Sequence, residues 1–226
     1  MAGPTYPTGV TIPAGSNPNA GQGMLVVGAD PSALAVALAV DTGGKLLIGA
    51  GTAEIGKVIF EYINVAATAM TRPANTTAYA VNDSVSDNGT AGSVTANVVT
   101  ISDTNDDPVC LTEVLLASTD AGFGSTAIRI HLFNSDPTAS SGVSGGDNAA
   151  WSQKQAGWVG SFSGLMRAFS DGSKGRLVPD EGSSIIIGPA SGARTIWWQL
   201  QTLGTPTPSA NSTTFTPRFK GYQGRL

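Results

Sequence analysis

The chain has 226 residues, enough for one substantial β-sandwich or barrel plus an appendage. Only 12% of the residues are charged, against roughly 25% in an ordinary globular protein, and 29 are glycine, so the surface is neutral, small-residued and suited to close packing. A net charge of -4 and a pI near 4.8 argue against a nucleic-acid surface, no apolar stretch approaches the roughly 18 residues of a membrane-spanning helix, and a lone cysteine, Cys110, excludes an internal disulfide or a multi-cysteine zinc site within one chain.

In chain order, residues 1 to about 23 are rich in Pro, Gly, Asn and Thr, with prolines at 4, 7, 13 and 18. Neither a helix nor a paired central strand is expected there, so this is read as an extended arm that gains order only against a partner surface. Met1-Ala2-Gly3-Pro4 shows no basic region followed by an apolar one, which predicts a protein made and used in the cytoplasm without Sec export. From Met24 to Val58 the composition turns apolar. Leu34, Val36, Leu38 and Val40 repeat at strand period with alanines between them, and Asp41-Thr42-Gly43-Gly44 is a good turn into Lys45-Leu46-Leu47-Ile48. Alanine favours helix, but the turn and Asp30-Pro31 favour strand. The first 53 residues carry three charges, Asp30, Asp41 and Lys45. Residues 1–58 are therefore expected to form an assembly segment, with Tyr6, Ile12, Leu25, Val27, Leu34, Val36, Leu38, Leu46 and Ile48 as contacts.

Residues 59–226 read as an antiparallel all-β domain, with strands expected at 58–65, 77–81, 94–101, 109–117, 127–133, 158–162, 184–187, 195–203 and 213–222. Two alternate cleanly. Ile128, Ile130 and Leu132 oppose Arg129, His131 and Phe133, while Ile196, Trp198 and Leu200 oppose Trp197, Gln199 and Gln201. About nine strands with polar turns predict a two-sheet, jelly-roll-like β-sandwich preceded by the arm. Charge is uneven along the chain. Nine acids face one base, Arg129, between residues 80 and 150, and after 150 eight bases face Asp171, Asp180 and Glu181. That asymmetry is compatible with a mixed folded surface or with charge complementarity across subunit contacts.

The chemistry-bearing residues point to no reaction. The one histidine, His131, is expected as a polar residue on an outer strand face, and Cys110 as inert packing beside Leu111. Asp103, Asp106 and Asp107 crowd a turn ending in Pro108, and the incipient calcium-loop spacing lacks its glycine and closing glutamate. Gly43-Gly44 and Gly145-Gly146 lack the Gly-Lys-Ser/Thr of a phosphate loop. No cofactor, metal or catalytic residue is expected. Of the tryptophans, Trp198 is assigned to the core, and Trp151 and Trp197 to contacts, either a subunit interface or a glycan platform.

Residues 71–85, Thr-Arg-Pro-Ala-Asn-Thr-Thr-Ala-Tyr-Ala-Val-Asn-Asp-Ser-Val, resemble a signature that recurs in tailed-phage and prophage structural proteins. Matching pieces follow at Ile128–Phe133 with Asp136-Pro137, at Asp147-Asn148-Ala149-Ala150-Trp151 and at Gly157-Trp158-Val159-Gly160, and upstream at 40–45 and 55–58. The resemblance spans roughly residues 24 to 165 and brings no catalytic residues. It implies a virion protein on the outer capsid surface, similar to decoration (cement) proteins. Such a protein self-associates as a homotrimer, contacts the major capsid protein, and engages neither nucleic acid nor membrane. A tail, baseplate or head-fibre component, including a receptor-binding adhesin, is the alternative implied.

Overall fold

A computed structural model describes residues 39–40, 46–47, 59–137, 146–151 and 157–225. Chain contacts divide the protein into two units, 1–57 and 58–226. In the first, β1 (Ala39–Val40) pairs antiparallel with β2 (Leu46–Leu47), which is the strand pair expected across the Asp41–Gly44 turn. Tyr6, Ile12, Leu25, Val27, Leu34, Val36, Leu38 and Ile48 lie outside the described residues. So does the side chain of Leu46.

The second unit is the expected all-β fold. Its strands are β3 (Ile59–Ala66), β4 (Met70–Thr71), β5 (Ser84–Val85), β6 (Asn97–Thr100), β7 (Val109–Ser118), β8 (Ala127–Phe133), β9 (Trp158–Phe169), β10 (Gly172–Pro179), β11 (Ile185–Ile187), β12 (Thr195–Thr202) and β13 (Thr214–Arg225). They form one eleven-stranded antiparallel sheet in the order β3-β13-β7-β10-β9-β8-β12-β5, with β11 on β7, β4 on β13 and β6 on β12. Among the described residues the only helical segment is a 3-10 turn, Ala121–Phe123.

The twelve-residue β9 makes this sheet into a sandwich. Its Phe162–Phe169 stretch pairs with β10 and its Trp158–Leu165 stretch with β8, so one strand belongs to both halves. Buried side chains from both halves then form one core. Val109, Leu111, Val114, Leu116, Leu177, Phe215 and Phe219 come from the first half, and Ile128, Ile130, Leu132, Ile196, Trp198 and Leu200 from the second. These are the inward positions of period-two strands, each large side chain contributing about 1.5–3 kcal/mol on burial. Trp198 is fully buried, as its alternation with Ile196 and Leu200 requires.

Three expectations differ from the structure. Residues 77–81 form a loop, because Tyr79 is drawn inward to a buried carboxylate rather than into a ladder. β10 was not anticipated, since Gly172-Ser-Lys-Gly-Arg-Leu-Val-Pro has one core residue, Leu177, and little alternation to reveal it. It exists because β9 turns back on itself at Gly172, whose φ of +134° and close approach to the Ser118 carbonyl exclude a side chain. Cys110, expected as inner packing, points outward and is half-buried; its neighbours Val109 and Leu111 fill the core instead.

Candidate functional site

Two buried polar networks knit the loops to the sandwich. In the first, Arg72 and Asp147 form an ion pair at 2.9 Å, with both side chains buried. Arg72 Nε also donates to Asp147 Oδ1, Tyr79 Oη donates to the same oxygen at 2.5 Å, and the Ser86 amide donates to it at 3.2 Å. The guanidinium lies over the Tyr79 ring at 4.7 Å. Burial, with the adjacent Asp147 charge, pushes the Tyr79 phenol far up, so it remains a donor. In the second network Asp120 caps the 3-10 turn by accepting from the Gly122 amide at 2.7 Å. It also accepts from the Ser209 and Ala210 amides, the Ser209 hydroxyl and the Thr213 hydroxyl. Burial would raise the Asp120 carboxyl, but these donors hold it below the usual carboxylate range.

A third cluster covers the outer face of β8 and β12. Here His131 faces away from the core, as its alternation predicts, yet it is only 3% exposed. The expected solvated position is roofed by Trp151, whose ring stacks on the imidazole at 4.3 Å and 12°. His131 Nδ1 accepts from Trp158 Nε1 at 3.3 Å, and Nε2 faces Gln201 Oε1 at 3.0 Å, so the proton sits on Nε2. Burial pulls its pKa down to about 4, Gln201 and Asp180 opposing and Arg129 assisting. Beside it, Asp180 accepts from the hydroxyls of Ser161 and Ser163 and pairs with Arg129 Nε at 2.9 Å. The Arg129 contact is a charge pair without good N–H alignment. Gln199, across the ladder from His131, is 2% exposed, and its amide makes no hydrogen bond among the described residues.

The chemistry of this cluster is restricted. His131 is held by two neutral partners and a stacked ring, with Gln201 rather than a carboxylate on Nε2. Ser161 is the cross-strand partner of His131, but its hydroxyl and that of Ser163 donate to Asp180, while the two ring nitrogens of His131 are taken by Trp158 and Gln201. Among the described residues no three His, Cys, Asp or Glu side chains are grouped to hold a metal ion. No helix of the described residues is long and apolar enough to cross a membrane. The acidic turn is tied locally, the Gly192 amide donating to Asp106 and the Gln223 amide to Asp107.

The structure gives the two predicted contact tryptophans different surroundings. Trp151 is half-buried; its amide donates to the Asn82 carbonyl, and its ring is spent on His131. Trp197 is half-buried between Phe133 and Val98 in register on the same outer face. The sequence reading missed the opposite outer surface, where Tyr62, Tyr222 and Ile186 are 54%, 46% and 70% exposed. The run Ile185-Ile186-Ile187 carried a signal, since an apolar run of three on a strand must put at least one residue outside.

Segments 72–83, 147–151 and 158, far apart in sequence, meet here. Arg72, Asn75 and Tyr79 reach Asp147 directly or through Arg72; Asp83 bridges Ala150; Asn82 holds Trp151; and Trp151 and Trp158 enclose His131. No protein-family model, curated protein or solved structure matches the chain.

Proposed function

We propose that this protein is a structural component of a tailed-phage virion, a decoration protein that binds the outer capsid surface and bridges capsomers. The observation that carries the reading is the convergence just described. Of the segments that resemble phage structural proteins, 71–85, 147–151 and 157–160 are joined by hydrogen bonds and ring contacts on the sandwich, which supports reading that part of the resemblance as one three-dimensional element. The low charge, with three charged residues among the first 53, and the apolar runs within 24–58 support the same role, since many symmetric copies turn modest contacts into large stabilisation. The major capsid protein is the partner under this reading, and the protein acts by packing rather than by catalysis.

Imaging virions labelled with antibody against this chain tests it: label over the head is the expected result. Label confined to the tail would replace it with the second reading, a tail or baseplate component such as a receptor-binding adhesin. Trp197, half-buried on the outer face of β12, favours that alternative, because an aromatic ring suits the apolar face of a sugar ring. A chain lacking residues 1–58 is expected to lose capsid binding.

A further inference from the structure

A groove of about 440 Å³, in the size range of small-ligand sites, opens where β4 and β6 leave strand edges unpaired. Residues 68–71, leading from β3 through β4, line one side; residues 95–98, leading into β6, line the other, together with Asp87. Among the described residues β4 pairs only with β13 and β6 only with β12. The Arg72 amide donates to the Thr213 carbonyl, so the alternation of an antiparallel ladder turns the peptide groups of Thr71 away from β13. The Ile101 amide donates to the Arg194 carbonyl, and the same alternation turns the peptide groups of Val98 away from β12. Both sides of the groove therefore bring a peptide donor and acceptor that no strand uses.

Side chains add a second set of polar groups. Asp87 Oδ1 accepts from the Thr95 amide at 2.9 Å, and Oδ2 has no partner among the described residues. Asn97, half-buried, donates from Nδ2 to Met70 Sδ at 3.5 Å, a weak contact that leaves most of its amide for another molecule. Thr68 and Thr95 are exposed and bring hydroxyls, and between these polar groups lie the methyls of Ala69 and Ala96. A carboxylate, an amide, hydroxyls and free peptide groups around small apolar patches match a sugar ring, whose hydroxyls both donate and accept while its C–H faces pack on methyls. We propose that this groove is a carbohydrate-binding site that takes a neutral sugar or amino-sugar unit of a polysaccharide. Asp87 is the one charged group in the lining, so uronates, phosphorylated sugars and nucleic acid are repelled. An added peptide strand fits less well, because β4 offers an edge of two residues, too short for the run of alternating peptide bonds that strand addition uses. The inference rests on neither the head nor the tail reading.

Applying the full chain to an array of neutral, amino-sugar and acidic bacterial polysaccharide fragments, then titrating a bound fragment, tests the site. Neutral or amino-sugar fragments are expected to bind and acidic ones to be rejected. Asp87→Asn, which keeps an acceptor for the Thr95 amide, and Asn97→Leu are each expected to raise the dissociation constant about tenfold or more. Ala69→Trp, at an exposed position, fills the groove and should abolish binding, with thermal unfolding of each variant as the fold control. Trp197→Ala should leave binding unchanged; loss of binding there, with the groove variants still binding, would overturn the groove while leaving the adhesin reading in place. An array that holds nothing, or acidic fragments only, would overturn the proposal, as would a bound fragment indifferent to Ala69→Trp. Binding of a synthetic peptide of residues 33–40 that Ala69→Trp abolishes would overturn it in favour of strand addition.

Discussion

The two outer faces of the sandwich differ in what covers them. Over β8 and β12 the chain closes its own surface: Trp151 and Trp158 enclose His131, and the flanking loop is pinned by the Arg72–Asp147 pair. Over β3, β13 and β7 no described residue covers the central row, formed by the register partners Tyr62, Tyr222, Cys110 and Ile186, and Tyr62, Tyr222 and Ile186 are exposed among surface ion pairs. Apolar or polar character alone does not mark an interface. A buried histidine face is internal architecture, whereas exposed aromatics in register are a surface still open to another molecule.

That contrast can be broken most severely at the closed face. Arg72→Ala leaves the Asp147 carboxylate buried with only a phenol and an amide, and it is expected to destabilise the fold by about 3–5 kcal/mol, measured by urea unfolding. Next in size is a pH effect at His131. The folded ring titrates at about 4 and the unfolded one near 6.5, so between those values only the unfolded chain binds the proton. Stability is therefore full above pH 6.5 and falls as pH drops toward 4, by on the order of 3 kcal/mol. His131→Asn should flatten stability across that window. Asp120 and Asp180, held below the usual carboxylate range, lose their contributions only at lower pH. Asp120→Ala strands the donors of Gly122, Ser209 and Thr213, for an expected cost of about 2 kcal/mol by the same unfolding measurement.

At the open face the effects on the isolated fold should be small. Glu113→Gln removes the shared partner of Lys220 and Arg176, whose contacts hold that carboxyl down, and should cost under about 1 kcal/mol. Ile186→Ser should shift the unfolding midpoint least of all, within about 0.5 kcal/mol, because its side chain is already 70% exposed. A large loss there would show that the row is packed in the monomer and that the two faces are not different after all.

The sequence made the core legible where strands alternate cleanly. Ile128, Ile130, Leu132, Ile196, Trp198 and Leu200 are inside because period two leaves no other arrangement, and the sandwich class follows. It did not disclose that His131 is roofed, since stacking by Trp151 depends on a loop brought back across the sheet by Asp83, Ala150 and Asn82. The Arg72–Asp147 pair was equally hidden: the partners are 75 residues apart, and both would ordinarily be assigned to the surface. The row of Tyr62, Tyr222, Cys110 and Ile186 needed the strand order and register, which single-strand patterns do not contain. Cys110 was misplaced for a related reason. Between two core residues, Val109 and Leu111, the alternating pleat turns even an apolar side chain outward.

The ladder between β3 and β13 begins at Ile59 opposite Arg225 and continues for eight pairs to Ala66 opposite Arg218. Any load arriving through the residues before Ile59 enters the sandwich at one end of that ladder. Pulled sideways, the strand peels one pair at a time; pulled along its own axis, it strains all eight together. The grip of the folded unit on its leading segment is thus set by the direction of tension, and a mount that keeps the tension axial holds far more strongly with the same hydrogen bonds.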